Sequence, residues 1–206
     1  MNKYSGAVLV LSGPSGAGKT SLIKKIADDI GEYYFSISTT TRPIREGEIE
    51  GIHYHFVDEK EFKKDIADDN FLEYAVVHGN HYGTSLKPVR EALNAGKLVL
   101  FDIDVQGNTA VNSRLGDITT SVFITPPTLS ELKQRLADRS TDTEEVMEGR
   151  LRMAKREIQR ISEYDYMIVN EDLDEAAEVL KFIALSAKMK IPSEDINNFI
   201  QEWEDI

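Results

Sequence analysis

The sequence contains no cysteine. That single absence excludes a disulfide scaffold, a thiolate metal site and a cysteine nucleophile together. Basic residues are also scarce: 24 Lys and Arg stand against 36 Asp and Glu, for a formal charge of −12. A surface of that sign repels phosphate backbones and anionic headgroups, so neither nucleic acid nor a membrane is expected as a partner. Long apolar runs are missing too; none approaches the ~18 residues of a membrane span. The opening Met1-Asn2-Lys3-Tyr4-Ser5-Gly6 has neither the apolar segment nor the small-residue cleavage site of a secretory leader. Together these absences point to a cytoplasmic protein. What is present, 41% hydrophobic and 29% charged residues over 206 positions, is ordinary for a globular chain. The length fits one domain with insertions.

Four short apolar runs punctuate the chain, at residues 7–11, 98–101, 121–124 and 166–169. Each is nearly unbroken, as in strands buried on both faces of a parallel sheet. Helical spacing fills the gaps. Leu22, Ile23, Ile26, Ala27 and Ile30 lead to a stop at Gly31, and Val89, Ala92 and Leu93 mark a helix over 88–96. Thr128 and Glu131 form a capping box that starts another. Met147, Leu151, Ala154, Ile158 and Ile161 define a long amphipathic helix, and Val179, Leu180, Ile183 and Ala187 face inward over 174–190. This alternation predicts an α/β fold, a parallel sheet with helices on both faces. Residues 36–85 read differently. Phe35 and Ile37 alternate with Ser36 and Ser38 as a half-buried strand. Asp58 precedes a helical stretch with Phe62 and Ile66. Residues 71–77, followed by His78-Gly79-Asn80, read as a hairpin. They predict a small mixed α/β unit inserted into the core. From Ser193 onward, Ile196, Phe199, Ile200 and Trp203 share one face of a last helix. That face is expected to fold back on the domain; the alternative is a homo-oligomer joined through the tail.

Gly13-Pro14-Ser15-Gly16-Ala17-Gly18-Lys19-Thr20 matches the phosphate-loop pattern G-x-x-x-x-G-K-[ST] between a strand and a helix, the context it requires. Its glycines let backbone N–H groups converge on an anion, and the following helix aims its positive end at the same point. Lys19 adds a full charge within reach of the β- and γ-phosphates. Thr20 offers a hydroxyl to Mg²⁺, and Ser21 follows it in the same ATP-binding set. Asp102 ends a buried strand, where open α/β sheets place their ligands, and is expected to reach Mg²⁺ through water.

A second anion site is written in Thr39-Thr40-Thr41-Arg42-Pro43-Ile44-Arg45. Three hydroxyls and two guanidiniums in seven residues suit a phosphate, and Tyr54 and Tyr82 can add phenolic donors. Glu73 lies in an otherwise apolar strand, and composition alone leaves it either solvent-facing or a specific acceptor. His53 and His55 flank Tyr54 as ordinary strand histidines rather than a metal pair.

These residues carry a resemblance. Ser38-Thr39-Thr40-Thr41-Arg42, Arg45-Glu46-Gly47-Glu48, Gly51, Tyr54 and Phe56 resemble the acceptor-binding segment of guanylate kinases. Phe71-Leu72-Glu73-Tyr74-Ala75, Gly79-Asn80 and Tyr82-Gly83-Thr84 resemble its second half. Asp102-Ile103-Asp104-Val105-Gln106-Gly107 looks like the family's acidic strand end. Ile124-Thr125-Pro126-Pro127 with Arg135, Arg139 and Arg150 looks like its lid. The likeness runs over roughly residues 5–187. One departure is visible: the family's usual Arg-x-Pro-Arg stands here as Arg42-Pro43-Ile44-Arg45.

The resemblance implies a phosphate-loop NTPase core carrying an inserted GMP-binding unit and a helical lid. It divides a single domain, residues 1–206, into a core (about 1–35, 86–126 and 158–190), an insertion (36–85), a lid (127–157) and a tail (191–206). Arg42, Arg45, Tyr54 and Tyr82 would hold the GMP phosphate; Ser38, Glu73, Thr84 and Asp104 would read guanine. Arg135 and Asn170 would touch ATP, and Lys19, Arg42, Arg135, Arg139 and Arg150 would neutralise charge during transfer. The implied activity is Mg²⁺-dependent phosphoryl transfer from ATP to GMP. Two rivals stand beside it: a monophosphate kinase for another base, and a non-catalytic scaffolding module, which the intact Lys19 and Thr20 speak against.

Overall fold

The computed structural model describes residues 5–77, 79–139 and 144–204. His78 of the expected hairpin turn and the polar stretch 140–143 lie outside the described residues.

The core is a five-stranded sheet in the order β2-β7-β1-β8-β9, with every pairing parallel. Its strands are β1 (Ala7–Ser12), β2 (Tyr33–Phe35), β7 (Leu98–Asp102), β8 (Thr119–Thr125) and β9 (Tyr166–Val169). β1 is buried along its whole length, because its period-2 alternation feeds two cores. Leu9 and Leu11 pack under α1 (Lys19–Ile26) and α7 (Leu173–Ala187) with Leu22, Ile26, Leu180 and Ala184. Val8 and Val10 pack on the other face with Val89, Leu93, Val111 and Leu115, from α3 (Leu86–Asn94) and α4 (Val105–Leu115). Helices thus cover both faces, as the alternation predicts.

A second sheet, in the order β4-β3-β6-β5, stands apart from the first. It contains β3 (Thr39–Thr40), β4 (His55–Phe56), β5 (Phe71–Val77) and β6 (Asn80–Ser85). The predicted hairpin is there, with β5 and β6 antiparallel. Beneath it lies α2 (Glu59–Ala67), capped by the Asp58 carboxylate, which accepts from Glu61 N at 2.7 Å. Phe62 of α2 is fully buried and stacks on Phe71, ring centroids 4.3 Å apart. α5 (Leu129–Arg139) and α6 (Glu144–Glu157) pair through Leu132, Leu136 and Ala154. α8 (Ser193–Glu204) closes the described chain. No helix among the described residues is long and apolar enough to cross a membrane.

Several expectations need correction. Ile37 and Ser38 are not in a strand: the chain leaves the core sheet after Phe35 and joins the second at Thr39. Helix α3 starts at Leu86, two residues early, because Ser85 caps it. Helix α4 was not foreseen; Gly107 and Asn108 interrupt its buried face, leaving Val105, Val111 and Leu115 as its apolar inward residues. The long helix ends at Glu157 and tightens into a 3-10 segment, Ile158–Glu163. Strand β9 is an edge, paired with β8 alone, and of its four residues just Ile168 is buried. Val179 is 48% exposed; it sits about 100° around the helix from Leu180, off the inward stripe. The capping box is half formed: Glu131 N donates to Thr128 Oγ1 at 3.1 Å, but the Glu131 carboxylate accepts from Arg135 instead. Finally, the tail does not fold its apolar face inward; Phe199 and Trp203 are 66% and 72% exposed.

Candidate active site

The turn between β1 and α1 is built around backbone that only glycine tolerates. Gly13 has φ 138° and Gly18 φ 94°. A Cβ on Gly13 would sit 1.9 Å from the Ile124 carbonyl oxygen, and one on Gly18 would sit 2.3 Å from Asn170 Nδ2. Pro14 and Ala17 are buried and Ser15 exposed, and Ala17 N donates to Pro14 O at 3.0 Å. Among the described residues no side chain caps α1, and its first turn holds no acidic residue. The unpaired N–H groups and positive helix end are therefore left facing the loop. Lys19 Nζ donates to Gly13 O at 2.7 Å and lies 3.6 Å from Asp102 Oδ1. Thr20 is exposed and Ser21 half-buried beside it.

Asp102 and Asp104 leave the end of β7 on the same side as this loop. Burial pushes the Asp102 carboxyl up from its ordinary value, and the Lys19 ammonium opposes that shift. Asp104 caps α4, accepting from Gly107 N at 2.8 Å. Glu157, at the end of α6, feels both Lys19 and Asp104; desolvation raises its carboxyl, Lys19 lowers it and Asp104 raises it. Sequence reasoning missed Glu157, since one acid among the charges of an amphipathic helix carries no signal.

Glu73 owes its direction to a β-bulge. Phe71 pairs with Ser85 and Tyr74 with Gly83, so Leu72 and Glu73 together oppose Thr84. Bulges of this kind re-aim side chains. The residue is exposed as a whole, yet its carboxyl is partly desolvated. That desolvation raises its pKa, the neighbouring Asp104 charge raises it further, and a hydrogen bond with Thr84 opposes both. Thus Glu73, Thr84 and Asp104 come together from three elements. Ser38 joins the same unit through its backbone, its carbonyl accepting from His55 N at 2.9 Å.

Arg42 is buried, 8% exposed. Its Nη1 donates to Pro43 O at 2.7 Å and Glu48 Oε2 at 3.0 Å, and its Nη2 to Glu48 Oε1 at 2.6 Å. The guanidinium lies over the rings of Tyr54 and Phe56, 5.4 and 5.7 Å from their centroids. Tyr54 and Tyr82 meet edge to face at 6.0 Å, and the Tyr82 hydroxyl is a hydrogen-bond neighbour of Arg42. Arg45 is exposed, and its backbone N donates to Glu48 Oε2 at 2.8 Å. The displaced Pro43 leaves this cluster intact and contributes its carbonyl to it. His53 and His55 take backbone and side-chain partners: Ile49 N donates to His53 Nδ1, and His55 pairs with Glu50. No group of three His, Asp or Glu among the described residues could hold a metal.

On α5, Arg135 Nε donates to Glu131 at 3.0 Å and Nη2 to the Asn170 carbonyl at 2.8 Å. Asn170 is buried, and its Nδ2 donates to Ala17 O at 2.8 Å. Arg135 and the phosphate loop are thereby linked through one asparagine, and the Asn170 amide braces the loop. Arg139 belongs to α5, but its side chain lies outside the described residues. Arg150 is half-buried on α6.

A family model described as guanylate kinase matches residues 5–187. The chain is 70% identical over 206 residues to the guanylate kinase of Sulfurimonas denitrificans, covering all of both chains. It is 44% identical over 198 residues to that of Helicobacter pylori, covering 96% of each. The crystal structure of guanylate kinase from Anaplasma phagocytophilum superposes with a TM-score of 0.65 at 34% identity, over 92% of this chain and 89% of that one. With a phosphate loop, a carboxylate group and an arginine–tyrosine cluster arranged on that fold, the chain belongs to the guanylate kinase family of nucleoside monophosphate kinases.

Proposed function

We propose that this chain transfers the γ-phosphoryl group of ATP to GMP, and also to dGMP, giving ADP and GDP. It would act in cytoplasmic purine nucleotide metabolism, recycling GMP. The observation that carries the reading is the gathering of Glu73, Thr84 and Asp104 beside Asp102 and the phosphate loop. Guanine presents N1–H and an exocyclic amine as adjacent donors, and carboxylates accept from both. Adenine offers a bare acceptor at N1, which a carboxylate repels. A site built to pair with a donor rejects the analogue lacking it by ~10⁴ or more.

In this reading the core binds ATP on residues 13–21. The insertion holds GMP by Arg42, Arg45, Tyr54 and Tyr82 at the phosphate and by Ser38, Glu73, Thr84 and Asp104 at the base. The lid brings Arg135, Arg139 and Arg150 to the phosphates. The acceptor oxygen of GMP is largely ionised at pH 7, phosphate monoesters having a second pKa of about 6, so no general base is needed. Catalysis is then alignment and charge neutralisation of an in-line transfer. Lys19 would leave its Gly13 and Asp102 partners for the β- and γ-phosphates. Thr20 and Asp102 are hard oxygen donors beside the loop and fit Mg²⁺, Asp102 through water; when bound, the ion would neutralise charge between the phosphates. Lid closure would exclude water as a competing acceptor. Asn170 would act on ATP by holding the Ala17 carbonyl.

The test is an acceptor panel (GMP, dGMP, AMP, UMP) with MgATP, following ADP release. Release with GMP and dGMP alone supports the proposal; equal release with AMP or UMP refutes the guanine assignment.

A further inference from the structure

Glu48 has no role in the readings above, yet it binds both arginines of the acceptor cluster. Its two carboxylate oxygens take the end of the Arg42 guanidinium in a parallel fork, at 2.6 and 3.0 Å. Oε2 also accepts from Arg45 N at 2.8 Å, while Glu48 N donates to Arg45 O at 3.1 Å. The carboxylate therefore closes the 45–48 turn and fixes a buried guanidinium in one move. The Arg42 guanidinium and the Arg45 backbone N–H hold its pKa below the usual carboxylate range.

A guanidinium has five N–H donors. Pro43 O and Glu48 occupy both protons of Nη1 and one of Nη2. The remaining pair, Nε–H and the second Nη2–H, forms a second parallel fork on the edge where the Tyr82 hydroxyl is a hydrogen-bond partner, so an arriving phosphate would take this edge beside that hydroxyl. Such a fork matches two oxygens of a phosphate monoester.

We propose that Glu48 is a positioning residue for the acceptor phosphate. By filling one fork of Arg42 it presents the other to the monoester dianion, and by holding Arg45 N it sets the span between the two arginines. This rests on the reading that Arg42 and Arg45 grip GMP. Its rival is a placeholder: a carboxylate occupying the donors the phosphate needs, and displaced by it. The two have opposite consequences.

The experiment compares the full chain with Glu48→Gln, Glu48→Asp and Glu48→Ala. It measures KM for GMP and for ATP, kcat, and GMP binding by calorimetry without ATP. Removing the outer partner of a metal-ligating side chain costs ~10–100-fold, and a guanidinium that ligates phosphate through one fork is taken to behave alike. Glu48→Gln and Glu48→Ala are expected to raise KM and Kd for GMP by roughly that factor. The ATP KM should hold, and kcat at saturating GMP should move far less than KM. Glu48→Asp, which keeps the charge and can still fork, should recover part of the loss. GMP affinity that is unchanged or tighter in Glu48→Gln overturns the proposal, as does a parallel rise in the ATP KM. Should Glu48→Ala not fold, the Gln and Asp variants decide alone. Absence of GMP-dependent ADP release by the unmodified protein would instead refute the activity itself, a separate outcome.

Discussion

Replacing Glu73 by Gln removes one charge and changes one atom, so its effect isolates guanine reading. The carboxylate sits in the bulge opposite Thr84 and beside Asp104. Ionised, it can accept from both donors of the guanine edge. Gln keeps one acceptor but turns an NH₂ toward the second donor. A hydrogen bond to a charged group contributes about 1.5–3 kcal/mol, so kcat/KM for GMP should fall roughly 10- to 150-fold at 1.36 kcal/mol per decade. The amide can donate to adenine N1, so AMP use should rise relative to GMP. Stability should move the other way. Desolvation and Asp104 raise the Glu73 pKa in the fold. Such a carboxyl favours the folded state in its neutral form, an advantage lost as pH rises through the folded pKa. At neutral pH the ionised group is thus a burden, and Glu73→Gln should melt at the same temperature as the parent or higher. The assay is coupled ADP release with GMP, AMP and ATP varied in turn, beside thermal denaturation. Unchanged GMP kcat/KM, or a matching rise in the ATP KM, would refute the reasoning.

The same group sets a pH dependence. As pH falls through the raised Glu73 pKa, GMP kcat/KM and selectivity over AMP should both decline. Asp104→Asn removes the charge that helps raise that pKa, so the acid limb of the selectivity profile should move to lower pH; a limb that stays in place would show that substrate ionisation alone sets it. Gly18→Ala would put a methyl group 2.3 Å from Asn170 Nδ2 on a backbone with φ 94°. At about 1–3 kcal/mol for such strain, Tm should drop by roughly 2–12 °C, and the ATP KM should rise more than the GMP KM, which steady-state kinetics reads directly.

Much of the core was legible because its strands are buried on both faces. The run Ala7 to Leu11 announces itself in any window, and so does the glycine turn after it. Where burial is one-sided or local, the pattern thins. Strand β9 reads as buried from composition, yet it is an edge, which depends on how many neighbours the sheet supplies. Helix α4 escaped because Gly107 and Asn108 interrupt its inward stripe. Val179 was misplaced because composition does not say which of two adjacent apolar residues lies inside the stripe of α7; Leu180 does, whereas Ala176 and Ala177 both do. The site divides in the same way. Gly13 to Thr20 forms a contiguous motif whose chemistry follows from its spacing. Glu73 was ambiguous because a bulge sets its direction, and a bulge is a property of the pairing with β6. Glu48 was visible as a letter of the family pattern, but its grip on Arg42 and Arg45 exists only once the turn closes.

These contacts share a logic. Three of the cationic groups assigned to the two substrates are met here by an anion or carbonyl of the protein itself: Lys19 by Gly13 O and Asp102, Arg42 by Glu48 and Pro43 O, Arg135 by Glu131 and Asn170 O. Unpaired buried charges are expensive, so a site for two polyanions needs internal partners before they arrive. Exchange then determines what binding gains. Lys19 and Arg135 hold a carbonyl and one carboxylate each, partners that a phosphate replaces with more charge. Arg42 differs, because its carboxylate is also bonded to the Arg45 backbone. If the proposed roles hold, Lys19 and Arg135 would change partners during turnover, while Arg42 would keep the carboxylate it has.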